Sequence, residues 1–376
     1  MTHAPQSAQA FSELIDVLAE MRDQYVLDQA RTADELDALD GFRYALQLVS
    51  EASELFVEGD PERPRFTSIV SPTRKFLGDN PDAIYHQALI RGDRSYRVTG
   101  RRDREAYISF TVHGPDPNGG INGPVLADLN DRDFTVAPDG SYELVLGGEQ
   151  RPGNWVPLDP SARIVLVRSY FLEDPSVRND PSAHVEIAIE ALDDPGPAPV
   201  MDDATLAQRL RDAAAFLRAT STGMRVFGQP SPVPFVADEP NDVGTPWSFR
   251  NADVDAAGAV DIFYSSGNWD LAPDEAMLME GTLPKCDFVN VMLWNVHMQT
   301  LDYCTRTSSV NGAQVVLRDD GTYRIVVAER DPGVPNWLDT GGHRHGTIFW
   351  RFLLPAEDPE RPRCRVVKVD EVASLD

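Results

Sequence analysis

Lysine is almost missing from this chain. Of its 34 basic residues only Lys75, Lys285 and Lys368 are lysines, and the rest are arginine. Schiff-base chemistry, which needs a desolvated lysine, has little to draw on. Cysteine is as scarce. Cys286, Cys304 and Cys364 form no CxxC pair and no zinc-finger spacing, so they read as reduced core thiols and not as a disulfide framework. Excess positive charge is lacking too. The formal net charge of −26 disfavours nucleic acid, whose phosphates need clustered cations, and it disfavours anionic membrane surfaces. The acidity reads as solubility. No run approaches the roughly 20 apolar residues that cross a bilayer. The opening "MTHAPQSAQAFSELIDVL" has no basic stretch leading into an apolar one. No secretory signal is therefore expected, and the protein is placed in the cytoplasm. There is no Walker A loop, no GxGxxG after a strand, no GxSxG elbow and no HExxH. Each of those chemistries lacks its motif.

What is present is a chain of 376 residues, 42% hydrophobic and 9% aromatic. That is enough for two domains or one large double-layered β unit. Residues 12–27 carry apolar positions at helical spacing. A second helix is predicted from Thr32, where Thr32 and Glu35 match a capping box, through "LDALDGFRYALQLVSEASELFV". From 65 to 190 short apolar runs alternate with Gly, Pro, Asn and Asp, the pattern of an antiparallel β domain. A third helix starts at Asp203, a Pro-rich surface linker spans 227–247, and the β pattern resumes over 258–370.

The two β regions are copies. "DFTVAPDGSYELVLGGEQRPGNWVPLDPSARIVLVRSYFL" (133–172) can be laid over "AQVVLRDDGTYRIVVAERDPGVPNWLDTGGHRHGTIFWRFL" (313–353). Asp139-Gly140 falls on Asp320-Gly321, Tyr142 on Tyr323, Asn154-Trp155 on Asn336-Trp337, and Arg168 on Arg351. Upstream, Tyr107 falls on Phe288. Each Asp-Gly pair is predicted to form a type I′ hairpin turn. The expected fold is mainly β with helical additions: a duplicated, jelly-roll-like antiparallel β-sandwich with N-terminal helices and one central helix. Its segments are a helical 1–64, a first sandwich half 65–200, a helix and linker 201–257, and a second half 258–376. Duplication also sorts features. One found in both copies is expected to be architectural, and one found in a single copy functional.

Read in both halves, the chain resembles a bacterial two-part family catalogued as domain-of-unknown-function families 1254 and 1214. "NPDAIYHQALIRGDRSYRVTG" (80–100) carries the 1254-like resemblance. The 1214-like resemblance rests on "NWDLAPDEAMLMEGTLPKCDFVNVMLWN" (268–295), "MQTLDY", "DGTYRIVVAERDPGVPNWL" and "GHRHGTIFWRF". It implies a jelly-roll-like sandwich and a homo-oligomer, and it supplies no reaction. His297 stands where the resemblance implies an aromatic residue.

Four groups of residues are candidates, the first of them with two readings. His343 and His345 flank Arg344, and on a strand both imidazoles would share one face, as two metal ligands do. No acid follows until Glu357, so the cupin-type ligand set is incomplete and no metal is expected. The other reading of the triplet is a metal-free pair, with His343 as acid or base and Arg344 as carboxylate clamp. The first copy has "PLDPSARIV" there, without histidine. Asn336 and Trp337 recur as Asn154 and Trp155, so they read as loop-fixing and core residues, with ligand contact as the alternative. Asn295, Gln299, Asp302, Tyr303 and Arg306 follow an apolar strand as a polar set. They suit either a pocket or an internal brace, and Asp302 is the carboxylate expected to orient His343. Tyr85 and His86 follow an Asn-Pro-Asp turn; the turn is the first reading of this segment, and a cleft shared by the two halves is the second.

The expected function is metal-independent acid–base chemistry, of lyase, isomerase or hydrolase type, on a small carbonyl- or carboxylate-bearing substrate. No cofactor is expected. Catalysis falls to His343, Arg344 and Asp302, with substrate contacts from Tyr303, Asn295, Gln299, Asn336, Trp337, Tyr85 and His86. The alternative is a non-catalytic binding or structural module using Trp269, Trp294 and Trp337. A metal enzyme of His343 and His345 is the third.

Overall fold

The computed structural model describes residues 5–224, 233–251 and 259–375. Part of the Pro-rich stretch 227–247 therefore lies outside the described residues. The chain opens with helix α1 (Gln6–Met21), extended by a π-helical turn over Arg22–Val26. Helix α2 (Glu35–Ala52) follows and ends in a second such turn, Ser53–Val57. Its start differs from the predicted capping box. Asp34 is the N-cap, accepting from the Asp37 N–H, while the Asp37 carboxylate reaches back to the Ala33 N–H. Thr32 is unavailable because its hydroxyl closes the preceding turn on the Val26 and Asp28 carbonyls. The capping logic holds, but two residues downstream.

The first half then forms β1 (Thr67–Ser68), β2 (Ala83–Leu89), β3 (Tyr96–Arg101), β4 (Tyr107–His113), β5 (Val125–Asn130), β6 (Ser141–Leu146), β7 (Trp155–Val156), β8 (Ile164–Tyr170) and β9 (Glu186–Ala191). Helix α3 (Asp203–Ala219) crosses to the second half. There follow β10 (Trp247–Ser248), β11 (Ile262–Asp270), β12 (Glu275–Gly281), β13 (Phe288–Trp294), β14 (Ser309–Asn311), β15 (Tyr323–Ala328), β16 (Trp337–Asp339), β17 (His345–Leu353) and β18 (Arg363–Lys368). The second half thus begins with a strand inside the stretch read as linker.

Four sheets result, ordered β1-β2-β8-β4-β5, β7-β6-β3-β9, β10-β11-β17-β13-β14 and β16-β15-β12-β18. Each strand has its counterpart nine strands later in the same place, so the duplication extends to topology. Every half is a five-stranded sheet packed on a four-stranded one, and neither closes into a barrel. Pairing is antiparallel except for the short Asn-Trp strands, since β7 and β16 run parallel to β6 and β15.

The central strands show why alternation is faint in the sequence. All seven residues of β4, β8 and β13 are buried, because one face lines the sandwich and the other meets helices or the opposite half. Two cores fill the sandwiches, one around Phe110 and Tyr142 and the other around Tyr323 and Trp350. A third joins the halves through Tyr107, Tyr170, Tyr264, Phe288 and Leu353. The helices cover Ile164 and Leu166 of β8. Helices α1 and α3 run side by side, tied by Arg211 to Glu13 and Arg218 to Glu20. Asp203 also accepts from the first N–H groups of α1, which is favourable at a helix N-terminus.

The Asp-Gly turns are of a different type from the predicted one. Gly140 N–H donates to the Ala137 carbonyl at 2.9 Å, and Gly140 alone in that turn takes a positive φ, +87°. Gly321 repeats this with Arg318, at φ +81°. This is a type I turn closed by a left-handed glycine, formed alike with Pro138 or with Asp319 as its first central residue, because three residues separate the paired strand ends. In both copies the Asp side chain accepts from the residue after the glycine.

No helix among the described residues is long and apolar enough to cross a membrane. Cys286 and Cys364 are partly buried, whereas Cys304 is exposed and departs from the core-thiol reading.

Candidate functional site

Helix α2 presents an unusual inner face. Asp37, Asp40, Gly41, Tyr44, Leu48, Glu51 and Ala52 are its buried residues, so three acids sit on a stripe where apolar side chains are the rule. Opposite them lie the loop after β13 and the turn before β17. Gly41 permits the approach, since a Cβ there would stand 3.0 Å from the His297 ring. His297 stacks on Tyr44 and lies tilted against Tyr25, at centroid distances of 5.7 and 5.3 Å. It therefore packs as an aromatic residue would, and its Nε2 also meets the Asp37 carbonyl at 2.8 Å.

The acids meet the histidines of the triplet. His343 Nε2 lies 3.4 Å from Asp40 Oδ2, and His345 Nε2 lies 2.8 Å from Asp37 Oδ2. Both imidazoles face α2, while Arg344 between them is exposed. Asp40 is further held by Asn295 Nδ2 at 3.0 Å and Arg43 Nη1 at 3.0 Å. Burial keeps the His343 imidazole below its ordinary pKa, with Asp40 and Asp37 opposing that shift. The bond to Asp37 does the reverse for His345, which is held above the ordinary value. Neighbouring histidines are thus pushed apart, one towards a neutral base and the other towards a cation.

His343 and Asp40 form part of the wall of a cleft of about 460 Å³, lined also by Arg43, Lys75, Asn295, Gln299, Asp302 and Arg306. Lys75 is buried, donates to the Thr300 and Leu301 carbonyls, and lies 4.1 Å over the Tyr303 ring. Burial lowers its pKa, partly offset by Asp79. Cys304 borders the cleft as well, with burial raising its thiol pKa.

The cleft gathers five of the sequence-predicted residues: His343, Asn295, Gln299, Asp302 and Arg306. Their roles differ from those read in the sequence. Asp302 does not orient His343, because its carboxylate accepts from the Cys304 N–H and the Thr305 hydroxyl of its own loop. Asp40 stands in that place. Arg344 does not line the cleft, and the cations that do are Arg43, Lys75 and Arg306. Tyr303 lies beneath Lys75 and acts through its ring. Gln299 braces the loop, donating to Gln47 and the Lys75 carbonyl.

Asn336 and Trp337 lie outside the cleft. Asn336 exchanges hydrogen bonds with Val316 and donates to the Arg324 carbonyl, as Asn154 does with Thr135 and Glu143. Trp337 Nε1 donates to the Ala328 carbonyl and Trp155 Nε1 to that of Gly147. Both are architectural. Trp269 and Trp294 are fully buried in the core and offer no face to a ligand. His86 points away from the cleft between the halves, edge-on to Phe66, with burial lowering its pKa to about 4. Tyr85, its neighbour on the opposite face of β2, does reach a cavity between the halves.

A metal set is also present in outline. Asp34, Asp37 and His345 bring ligand atoms within 4.8 Å of one another. Their donors are largely spent, however, on the helix cap and on the His345–Asp37 bond. Of the ligand atoms in this set, Asp37 Oδ1 is buried without a hydrogen-bond partner. Three protein ligands so engaged do not fit a metal centre. A larger open groove, about 880 Å³, runs along β3 and β6 and contains Arg97, Glu143 and Asn154. It has no histidine and no paired acid and base.

Asp37 and Asp40 were missed because nothing links residues of the N-terminal helix to a turn some 300 positions later. A usable signal was there: acids repeated at helical spacing among apolar residues of α2.

The family described as "Protein of unknown function (DUF1214)" matches residues 85–172. That is the first copy, whereas the motifs carrying the 1214 resemblance lie in the second; the copies share one strand order. A solved, uncharacterized protein from Burkholderia cenocepacia is 34% identical, with 98% of each chain covered and a TM-score of 0.83. A solved protein from Vibrio parahaemolyticus shares the fold at 13% identity and a TM-score of 0.50, over 87% of this chain and 98% of that one. No curated protein matches the chain.

Proposed function

The chain belongs to the DUF1214 family, and from its cleft we propose that it is a metal-independent acid–base enzyme acting on a small carboxylate- or carbonyl-bearing substrate. One observation carries this reading. A histidine kept neutral by burial faces a carboxylate at 3.4 Å on the wall of a cleft that also exposes cations.

In this reading His343 takes a proton from the substrate. Asp40 orients the ring and stabilises the imidazolium that forms, as a carboxylate does for any catalytic histidine. Asn295 and Arg43 keep Asp40 fixed. Arg306 and Arg43 supply positive charge for a substrate carboxylate or a developing oxyanion. A lyase, isomerase or hydrolase would each use this arrangement.

The test is a screen of small carboxylates and carbonyl compounds for turnover by the purified protein, followed by the same assay with His343→Ala. Turnover that is lost in the variant supports the reading. Full activity in a folded His343→Ala protein removes it.

A further inference from the structure

Arg168 and Arg351 hold equivalent places in the two copies. Arg168 on β8 pairs with Tyr85 on β2, and Arg351 on β17 pairs with Tyr264 on β11. The two five-stranded sheets meet here, so the duplicated pairs converge on one cavity of about 150 Å³. It is separate from the His343 cleft, although the segment 75–79 borders both.

Both arginines are nearly enclosed, 7% and 6% exposed. Arg168 donates to the Thr111 hydroxyl at 2.6 Å, and Arg351 to the Gly78 carbonyl at 2.8 Å. Arg351 also lies over the Trp294 and Phe349 rings. Among the described residues no carboxylate comes within ion-pair distance of either guanidinium. Asp128 is reached only through the Thr111 hydroxyl. Asp79 lines the cavity, but both its oxygens accept from Thr300. Asp82 and Asp128 act on Arg351 and Arg168 only at longer range, so neither buried cation has a direct ion-pair partner among the described residues, and the two share one small space. The remaining lining is largely apolar, with the rings of Phe76, Tyr85, Tyr170 and Tyr264 beside aliphatic side chains such as Leu166. Burial holds the Tyr264 phenol at about 12, and its oxygen accepts the Ala259 N–H, which leaves its proton free to donate.

We propose that this cavity binds a small organic monocarboxylate, its carboxylate between Arg168 and Arg351 and its apolar body among the tyrosine rings. The planar guanidinium fork matches a carboxylate edge in two hydrogen bonds. A cavity of about 150 Å³ takes one benzene-sized molecule, which sets the ligand at the size of benzoate or a short-chain fatty acid. The duplication explains the site. Neither half holds two arginines at one place, and the juxtaposed copies do.

The experiment is thermal denaturation of the full chain with benzoate, phenylacetate or hexanoate, with benzyl alcohol and inorganic phosphate as controls. A rise of roughly 2 °C at ten times the dissociation constant, growing with the logarithm of concentration above it, is expected, for at least one carboxylate and not for benzyl alcohol. Arg168→Gln and Arg351→Gln should each lose that rise. An equal response to benzyl alcohol, a response to phosphate alone, or none to any carboxylate would overturn the assignment. So would an unchanged response in either folded variant. Should a variant not fold, the wild-type contrast between benzoate and benzyl alcohol decides the matter.

Discussion

His343 and Asp40 meet at 3.4 Å, Nε2 to Oδ2, although one sits in the turn before β17 and the other on an N-terminal helix. The contact makes a testable electrostatic statement. Burial lowers the His343 pKa and Asp40 acts against it. Asp40→Asn should therefore move the His343 titration further down, read by NMR of labelled histidine. Once a substrate is in hand, the same variant should lower kcat by about 10²–10⁴. Activity through a neutral His343 should fall only as pH drops below the ordinary histidine range. An unmoved or raised His343 midpoint in Asp40→Asn would remove Asp40 from its role.

Glu51, further along the same face of α2, predicts a pH dependence of stability. Burial pushes its carboxyl up to about 8, with Arg74 and Gln87 only partly offsetting that. Between its ordinary value near 4.5 and about 8, the native state keeps a proton that the unfolded chain has lost. Stability then falls as pH rises through this window and levels off above it. Glu51→Gln removes the term, flattening the decline by up to about 1.4 kcal/mol per pH unit. Urea unfolding at pH 5.5, 7 and 8.5 measures it. Identical slopes for wild type and variant would refute the assignment.

The fold was legible where periodicity and duplication carried it. The overlay of Asn154 on Asn336 and Arg168 on Arg351 anticipated a topology that repeats strand for strand. The predicted turn type failed because the strands close across three residues, Ala137 to Ser141 and Arg318 to Thr322, and a loop of that length takes a type I turn ended by a left-handed glycine, which the dipeptide alone does not reveal. In the site, the His343 triplet was visible as the feature unique to one copy, but its partners Asp37 and Asp40 are remote in sequence and joined only by folding. The rule that repeated features are architectural held for Asn336 and Trp337, whose bonds recur atom for atom. It is incomplete for Arg168 and Arg351. Residues duplicated near a pseudo-twofold contact come together, and repetition can then build a cavity.

Asn336 and Asn154 allow that rule to be tested. Each fixes its loop with three side-chain hydrogen bonds, and only Asn336 also holds a positive φ, +58°. Alanine at either position should cost about 1–3 kcal/mol through unsatisfied backbone groups. Asn336→Ala should cost more, because alanine tolerates that backbone poorly. Chemical denaturation of both variants gives the order. Equal losses, or a larger one at Asn154, would show that the left-handed backbone adds nothing.

Asp37 decides between a structural pair and a metal centre. Its Oδ2 accepts from His345 and the Ala33 N–H, and its carboxyl stays below the usual range although burial acts to raise it. As the buried half of an ion pair, Asp37→Asn should cost about 3–5 kcal/mol, since it strands the His345 charge. It should do so equally with and without added Zn²⁺ or Mn²⁺. Were Asp34, Asp37 and His345 a metal centre, the wild type would carry a near-stoichiometric ion in elemental analysis. Chelation would then reproduce most of the variant's loss. The spent donors argue for the pair: a cation would have to displace the His345 hydrogen bond and would gain, in exchange, one free oxygen, Asp37 Oδ1.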